Sequence, residues 1–434
     1  MNKRTIKVGI LGCGTVGSEV ARLIESDKSD LSARSGANLE VVAIGVRDSA
    51  KVRAGVSPKL LTDDIDSIVA HPEIEIVIEV MGGIDPARAL IMKALAAKKS
   101  VVTANKALLA LHGAEIFAAA KSNGVDLYYE AAVAGAIPIV RPLRESVVGD
   151  SVHRVMGIVN GTTNYILTKM DEDGASYDSV LKEAQRLGYA EADPTADVEG
   201  HDAAAKIAIL ASLAFHTSVT IKDVFAKGIS SLTSRDIEIA RAIGHVIKLL
   251  AIGEVTEKGE VSVRVHPTLI PRSHPLAAVR NAFNAVFVEA RSAGELMFYG
   301  RGAGGAPTAS AVLGDLVAIA RHLSFGGLGG RESDYADLPI AKMDSVMTRY
   351  LIRLDVADRP GVLASVAQTF ARHAVSIQTV RQSGRGEDAE LVIMTHSALD
   401  GHLEATVADI ASLDAVKSVE SVIRVEGVES SSDS

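Results

Sequence analysis

Ile6-Lys7-Val8-Gly9-Ile10-Leu11-Gly12-Cys13-Gly14-Thr15-Val16-Gly17 decides how the N-terminal part of this chain folds. An apolar run ends in G-x-G-x-x-G, and the apolar spacing then turns helical over 16–26. In such a strand-turn-helix the first glycine makes the turn, the second lets main chain approach a pyrophosphate, and the third packs helix on strand. Gly12, Gly14, Thr15, Val16 and Gly17 are therefore candidate cofactor-binding residues. The competing reading is a glycine-rich turn without a ligand, and the position after a strand and before a helix favours the nucleotide. Cys13 inside the turn reads as a small filler rather than a nucleophile, because no histidine stands near it in sequence.

Working outward, short apolar runs recur at 39–46, 74–80, 100–103 and 125–129, with helical patterns at 85–97 and 108–122. Continuous apolar strands separated by helices predict a parallel sheet covered on both faces. The fold class is thus α/β, with a Rossmann-type doubly wound nucleotide-binding domain over 1–136. The stretch 27–38 reads as an inserted polar loop that lengthens the path to the ribose-reading position. There the chain has Gly45-Val46-Arg47-Asp48, with Arg47 where an acid would favour NAD and an arginine can accept a 2′-phosphate. NADP is the first choice, and Asp48 and Arg53 leave NAD open.

Beyond residue 137, strand-like segments at 152–159 and 261–269 and a block of helices across 177–250 predict an α+β substrate-binding and dimerisation domain over 137–304. Gly300-Arg301-Gly302-Ala303-Gly304-Gly305 precedes a helix at about 305–322, expected to pack back on the first domain and complete it. The following 323–349, with its Gly326-Gly327 and Gly329-Gly330 pairs, reads as a flexible connection. From 350 to 427 the order is strand 351–356, helix 362–373, strands 375–381 and 389–396, helix 403–413 and strand 416–425, a ferredoxin-like βαββαβ module. A disordered tail is expected over 428–434.

Composition sets the bounds. With 434 residues there is room for several cored domains, and the net charge of −9 is spread without a basic stripe, which argues against nucleic acid. One cysteine excludes an internal disulfide. No apolar run approaches the roughly 20 residues of a membrane span, and the N-terminus enters a strand without a signal-peptide pattern, so a cytoplasmic protein is expected. Too few residues precede that strand for a fused kinase segment.

A second informative stretch begins near Val198 as a helix and runs to Phe215. After His201 its only charges are Asp202 and Lys206, one turn apart on the same side. The bland reading is an exposed ion pair, but nearly every other position is apolar, and a helix apolar all round is buried. An acid and an amine at such a place suit a site, and a partly desolvated lysine can carry a proton. The loop before the helix adds Glu191, Asp193 and Asp197, acids that could hold an ammonium or simply meet water.

These residues, with Thr103-Ala104-Asn105-Lys106, Glu130-Ala-Ala-Val133-Ala-Gly135-Ala-Ile137, Asn160-Gly161-Thr162-Thr163-Asn164 and Gly302-Ala-Gly304-Gly305, carry a resemblance over nearly the whole chain. The protein resembles a homoserine dehydrogenase with a C-terminal ACT regulatory domain. The resemblance implies reversible oxidation of L-homoserine to L-aspartate 4-semialdehyde, a branch point toward threonine and methionine. It implies that Glu191 and Asp202 hold the substrate, that Asp197 is a further pocket acid, and that Thr162 lines the pocket. Lys206 would exchange the proton, and Lys106 would sit by nicotinamide and substrate. Thr103, Lys106, Gly188, Gly302 and Gly304 would join the cofactor contacts. Glu130, Val133, Gly135 and Ile137 would hold sodium or potassium, largely through main-chain carbonyls, against the alternative of a loop whose carbonyls meet water.

The chemistry agrees with the residues. When hydride leaves the carbinol carbon the hydroxyl must lose its proton, which needs a base tuned toward neutral pH. An apolar surround pushes Lys206 down while Asp202 pushes it up, and the two effects oppose. Lys106 is the rival base, with Lys206 favoured as proton carrier and Lys106 as electrostatic orienter. Asp358-Arg359-Pro360-Gly361-Val362-Leu363 resembles an ACT ligand loop, so feedback by L-threonine is expected, against a module that only aids dimerisation. ACT modules commonly pair, which predicts a homodimer or homotetramer. Two other readings stand: an enzyme for another small hydroxy or amino acid, and a non-catalytic sensor. The 160–163 run and Glu191 weigh against the first, and two pocket amines against the second.

Overall fold

The computed structural model describes residues 3–332, 335–384 and 389–427, so the expected tail at 428–434 lies outside the described residues. The chain divides into two compact units, one of 1–155, 205–223 and 284–337 and one of 156–204, 224–283 and 338–434.

In the first unit, strands β1 (Thr5–Leu11), β2 (Asn38–Gly45), β3 (Leu61–Thr62), β4 (Ile74–Glu79), β5 (Ser100–Thr103) and β6 (Leu127–Tyr128) form a sheet in the order β3-β2-β1-β4-β5-β6. All neighbours are parallel. The order reverses at β1 and β4, the switch point where open parallel sheets bind ligands at the carboxyl ends of their strands. Alternation turns Ile6, Val8 and Ile10 to one face, where they are buried with Ile76, Ile78 and with Val20 and Ile24 of α1 (Thr15–Ser26). The helix Gly305–Phe325 shares this core through Ala309, Val312, Leu316 and Ile319.

The stretch read as a polar loop is instead a second helix, α2 (Lys28–Ser35). Its composition hides a buried side of Leu31, Ser32 and Ser35, and the left-handed Gly36 (φ 78°) ends it. The Ser35 hydroxyl donates back to the Leu31 carbonyl at 2.7 Å. On the sheet's other side lie α3 (Ile65–Ala70), α4 (Ala87–Ala96) and α5 (Lys106–Asn123). The glycine-rich connection is pinned rather than slack where it leaves the long helix. Gly329 donates its N–H to Asp126 at 2.8 Å, and Arg144 pairs with Glu332 at 2.9 Å.

In the second unit, His245–Val255 and Val261–Pro271 form an antiparallel pair eleven residues long, buried along most of its length. The expected helical block therefore ends at Ala242, not 250. A short apolar run is ambiguous between strand and buried helix, and here cross-strand pairing decides. The helix expected to open near Val198 is two pieces, Thr195–Val198 and His201–Phe215, parted by Gly200 at φ 82°.

The C-terminal module has strands Met347–Val356, Ile377–Ser383, Ala389–Thr395 and Val416–Val425 and helices Val362–Arg372 and Asp400–Ala411. Numbering its four long strands by sequence, they lie 4-1-3-2 across an antiparallel sheet. Unforeseen in the sequence, its last strand continues onto the rest of the unit. Val416–Val425 pairs parallel to Val261–Pro271 through Thr268 opposite Arg424 and Leu269 opposite Val425. No helix among the described residues is long and apolar enough to cross a membrane.

Candidate active site

The glycine-rich turn is built by close approach. Gly12 lies at φ 105°, and a Cβ there would stand 2.8 Å from the Val80 carbonyl oxygen. A Cβ on Gly17 would fall 2.1 Å from the Gly12 carbonyl oxygen. Around Gly14 nothing lies within 4 Å of such an atom. Gly14 heads α1 without a side-chain cap, so Thr15, Val16 and Gly17 offer the helix's first N–H groups outward, as anion binding requires. The second glycine turn closes on the first: a Cβ on Gly305 would touch Thr15 Cγ2 at 3.0 Å, and Gly304 sits at φ 116°. Arg47 is exposed just past β2, and Arg53 donates to the Asp48 and Lys51 carbonyls. Burial raises the Cys13 thiol pKa, and the nearby Arg53 charge opposes the shift.

Two residues that sequence reasoning missed organise the facing loop. Glu79 ends β4 fully buried, and its carboxylate accepts from Met81 N, Gly82 N and, at 2.6 Å, from the Thr103 hydroxyl. Burial pushes its pKa upward despite these bonds. The Thr103 hydroxyl is thus engaged within the protein and also accepts from Asn105 N. Asn105 caps α5 by accepting from Leu108 N, and its amide donates to the Gly83 carbonyl at 2.7 Å. Lys106 is the first residue of that helix. The available signal was an acid at the carboxyl end of an apolar strand, followed by Gly82 and Gly83.

In the second unit the acids converge on one amide. Asn160, buried, caps the helix Gly161–Asp173 by accepting from Thr163 N at 2.9 Å. Its Nδ2 donates to Asp197 Oδ1 at 2.7 Å and to Asp202 Oδ2 at 2.9 Å. Thr162 donates its hydroxyl to the Tyr189 carbonyl at 2.6 Å and so fixes the loop after Gly188, which ends the helix Tyr177–Leu187 at φ 77°. Glu191 stands exposed on that loop, where its carbonyl accepts from Gln185. Lys206 follows Asp202 by one turn of a continuous helix and is buried. Asn160, Asp197 and Asp202 are therefore held together, with an amine one turn on. Glu191 is not tied into this cluster by its side chain.

Back in the first unit, Glu130 does not offer its carboxylate to an ion. The buried group accepts from Ile139 N, Val140 N and Arg141 N at 2.6–2.9 Å. Its main-chain oxygen accepts from Val133 N at 3.4 Å. Ala134 and Gly135 are consecutive left-handed residues at φ 55° and 58°, which turn the chain sharply between Val133 and Ile137. A Cβ on Gly135 would meet the Gly302 carbonyl oxygen at 2.5 Å, and one on Gly302 would meet Asn284 Nδ2 at 1.9 Å. Asn284 is fully buried, and neither of its amide atoms has a hydrogen-bond partner among the described residues. No group of three His, Cys, Asp or Glu among them could hold a metal. A donor set of main-chain carbonyls would suit a hard cation rather than a transition metal.

In the C-terminal module Gly361 (φ 94°) heads the helix Val362–Arg372 without a side-chain cap.

Comparison with known proteins identifies the family. Family models match at 12–130 for a homoserine dehydrogenase NAD-binding domain, at 138–317 for homoserine dehydrogenase and at 350–415 for an ACT domain. A homoserine dehydrogenase of Corynebacterium glutamicum is 56% identical over 97% of this chain and 96% of its own. One of Mycobacterium tuberculosis strain H37Rv is 57% identical over 98% and 99%. The crystal structure of a homoserine dehydrogenase from Thiobacillus denitrificans superposes with a TM-score of 0.94 at 43% identity, covering 98% of this chain and 99% of the other. A switch-point glycine turn and an ACT module in a chain so similar over its full length leave one conclusion: it belongs to the homoserine dehydrogenases, a family of oxidoreductases.

Proposed function

We propose that this chain catalyses the reversible oxidation of L-homoserine to L-aspartate 4-semialdehyde, with NADP as the preferred cofactor and NAD as a second, as a cytoplasmic step toward threonine and methionine. The observation that carries the reading is the Asn160 amide bonded to both Asp197 and Asp202, one turn before the buried Lys206. Two carboxylates on one amide form an anionic patch suited to an ammonium group, and Glu191, exposed on the 188–191 loop, adds a third acid. Thr162 and Gly188 shape that loop.

Gly12, Gly14 and the first turn of α1 hold the pyrophosphate, Gly302 and Gly304 close on it, and Arg47 faces the 2′-phosphate. Thr103 acts through Glu79, fixing the loop of 80–83. The bound nicotinamide supplies the hydride acceptor. Lys206 takes the hydroxyl proton as the carbonyl forms, and Lys106 steadies charge on the same oxygen. Glu130, Val133, Gly135 and Ile137 would hold a sodium or potassium ion through main-chain oxygens, which would supply a fixed charge beside the junction with Gly302. The ACT loop of 358–363 binds L-threonine and lowers turnover. The protein works as a homodimer or homotetramer, a reading supported by the outer strand Gly294–Arg301, which exposes Met297 and Tyr299. The division at 136, 304 and 350 belongs to the same proposal.

NADPH formation with L-homoserine, with and without millimolar L-threonine, tests it. Lys206→Ala should lower kcat at least 100-fold, and Asn160→Ala should raise KM about tenfold or more with a smaller change in kcat. Cofactor binding without turnover on either NADP or NAD would overturn the reading. Unchanged rates with threonine would remove the feedback part alone.

A further inference from the structure

The short strand Phe225–Ala226 and the turn after it stand between the C-terminal module and the acids of the candidate site, all within the second unit. On the module side, the Arg424 guanidinium lies over the Phe225 ring at 4.9 Å while its Nε and Nη2 hold Asp400 at 2.8 and 2.9 Å. On the other side the chain presses on 198–200, where the helix that carries Asp197 ends and the one that carries Asp202 is about to begin. Ile229 donates its N–H to the Val198 carbonyl at 2.8 Å. A Cβ on Gly228 would fall 2.3 Å from that same oxygen and 2.5 Å from Glu199 Cα, so main chain packs directly on main chain. The strand Val261–Pro271 backs the same break. Its Val265 carbonyl accepts from Lys227 N at 2.8 Å, and Val265 Cγ1 would stand 3.1 Å from a Cβ on Gly200.

Gly228 has no side chain to rearrange, and close-packed main chain passes a displacement on instead of absorbing it. Asp197 stands immediately before the break and Asp202 just after it, so a shift of 225–229 alters the spacing of the two carboxylates that Asn160 bridges at 2.7 and 2.9 Å. We infer that Phe225 and Arg424 are positioning residues for the substrate acids: through this stacked pair, the last strand of the C-terminal module sets the separation of Asp197 and Asp202. They act through 226–229, and the assignment rests on the reading that those acids hold the ammonium of L-homoserine.

The test is steady-state kinetics on the full-length protein, with NADPH binding followed separately by its fluorescence. Phe225→Ala should raise KM for L-homoserine about fivefold, the worth of one cation-ring contact, and leave kcat and NADPH affinity within about twofold of the wild type. Phe225→Tyr, which keeps the ring face, should restore the wild-type KM. Arg424→Lys keeps a charge for Asp400 but no plane to stack, and should raise KM to a similar extent. A merely structural loss would reduce the active fraction, and so kcat, without moving KM. In the double variant the two effects should not multiply, because each removes the same contact. The inference fails if KM stays within about twofold in both single variants, if their effects multiply in the double variant, or if NADPH binding weakens in parallel with KM. Should Phe225→Ala not fold, Phe225→Leu takes its place with the same expected rise. Asn160→Ala tells this inference from the reading beneath it. A raised KM there beside unchanged Phe225 variants overturns the positioning alone, whereas an unchanged KM there overturns the assignment of the acids.

Discussion

Lys248 illustrates how far a single residue can depart from its type. It sits in the middle of His245–Val255, fully buried, with its Nζ donating to the Val279 carbonyl at 2.6 Å and to Asn164 Oδ1 at 3.0 Å. Burial pulls its pKa from 10.5 down to about 8. Because the folded value is lowered, the folded state binds fewer protons than the unfolded chain between those pH values. Stability therefore rises as pH climbs from about 8 toward 10, and the penalty of burying the cation is complete below 8. Urea melts at pH 7.5 and 9.5 should show the wild type gaining on the order of 2 kcal/mol relative to Lys248→Met, whose own curve lacks this component. At this scale the sequence announced Asp202 and Lys206, because helical spacing exposes such a pair on paper. It could not announce that Asn160 bridges two acids 37 and 42 positions away. Glu79 and Asn105 were equally hidden, since they bond to groups on other strands and loops.

Among elements, the C-terminal module rests on a buried ion pair. Arg424, in its last strand, donates Nε and Nη2 to the two Asp400 oxygens at 2.8 and 2.9 Å, and the Tyr350 hydroxyl adds a bond at 2.9 Å. Asp400 is completely buried and starts the helix Asp400–Ala411. Removing one partner of such a pair leaves a charge without compensation and typically costs 3–5 kcal/mol. Asp400→Ala should destabilise the chain by about 3 kcal/mol in equilibrium urea unfolding, and a loss under about 1 kcal/mol would show that solvent or Glu404 replaces the lost carboxylate. The parallel strands and the βαββαβ order were legible because their apolar periods are unbroken. Two elements were not, for opposite reasons. His245–Val255 is too uniformly apolar to declare a period, and α2 is too polar to advertise the few residues it buries.

For the whole molecule, the sequence marks the C-terminal module as a separate segment, whereas in the structure it shares one compact unit with 156–204 and 224–283. What no linear pattern reveals is the joint made by Val416–Val425 against Val261–Pro271. Around it, Arg264 reaches Glu426 at 2.9 Å, and the fully buried Asp236 accepts from Arg353 and Ser421. A chain stopped at 346 would open a sheet edge and strip Asp236 of those partners. It should melt well below the full-length protein and self-associate in size-exclusion chromatography. A truncated chain with the full-length melting temperature would mean that the joint contributes nothing. The same joint bears on inheritance and on engineering. An ACT module fused in this way cannot be exchanged like a bead on a string, because a replacement must bring a final strand of the right direction and register, with an arginine placed to lie over the Phe225 ring as Arg424 does at 4.9 Å. Under the proposed effector reading, altering the loop at the head of the module's first helix would leave this joint untouched, whereas recombining whole modules would not.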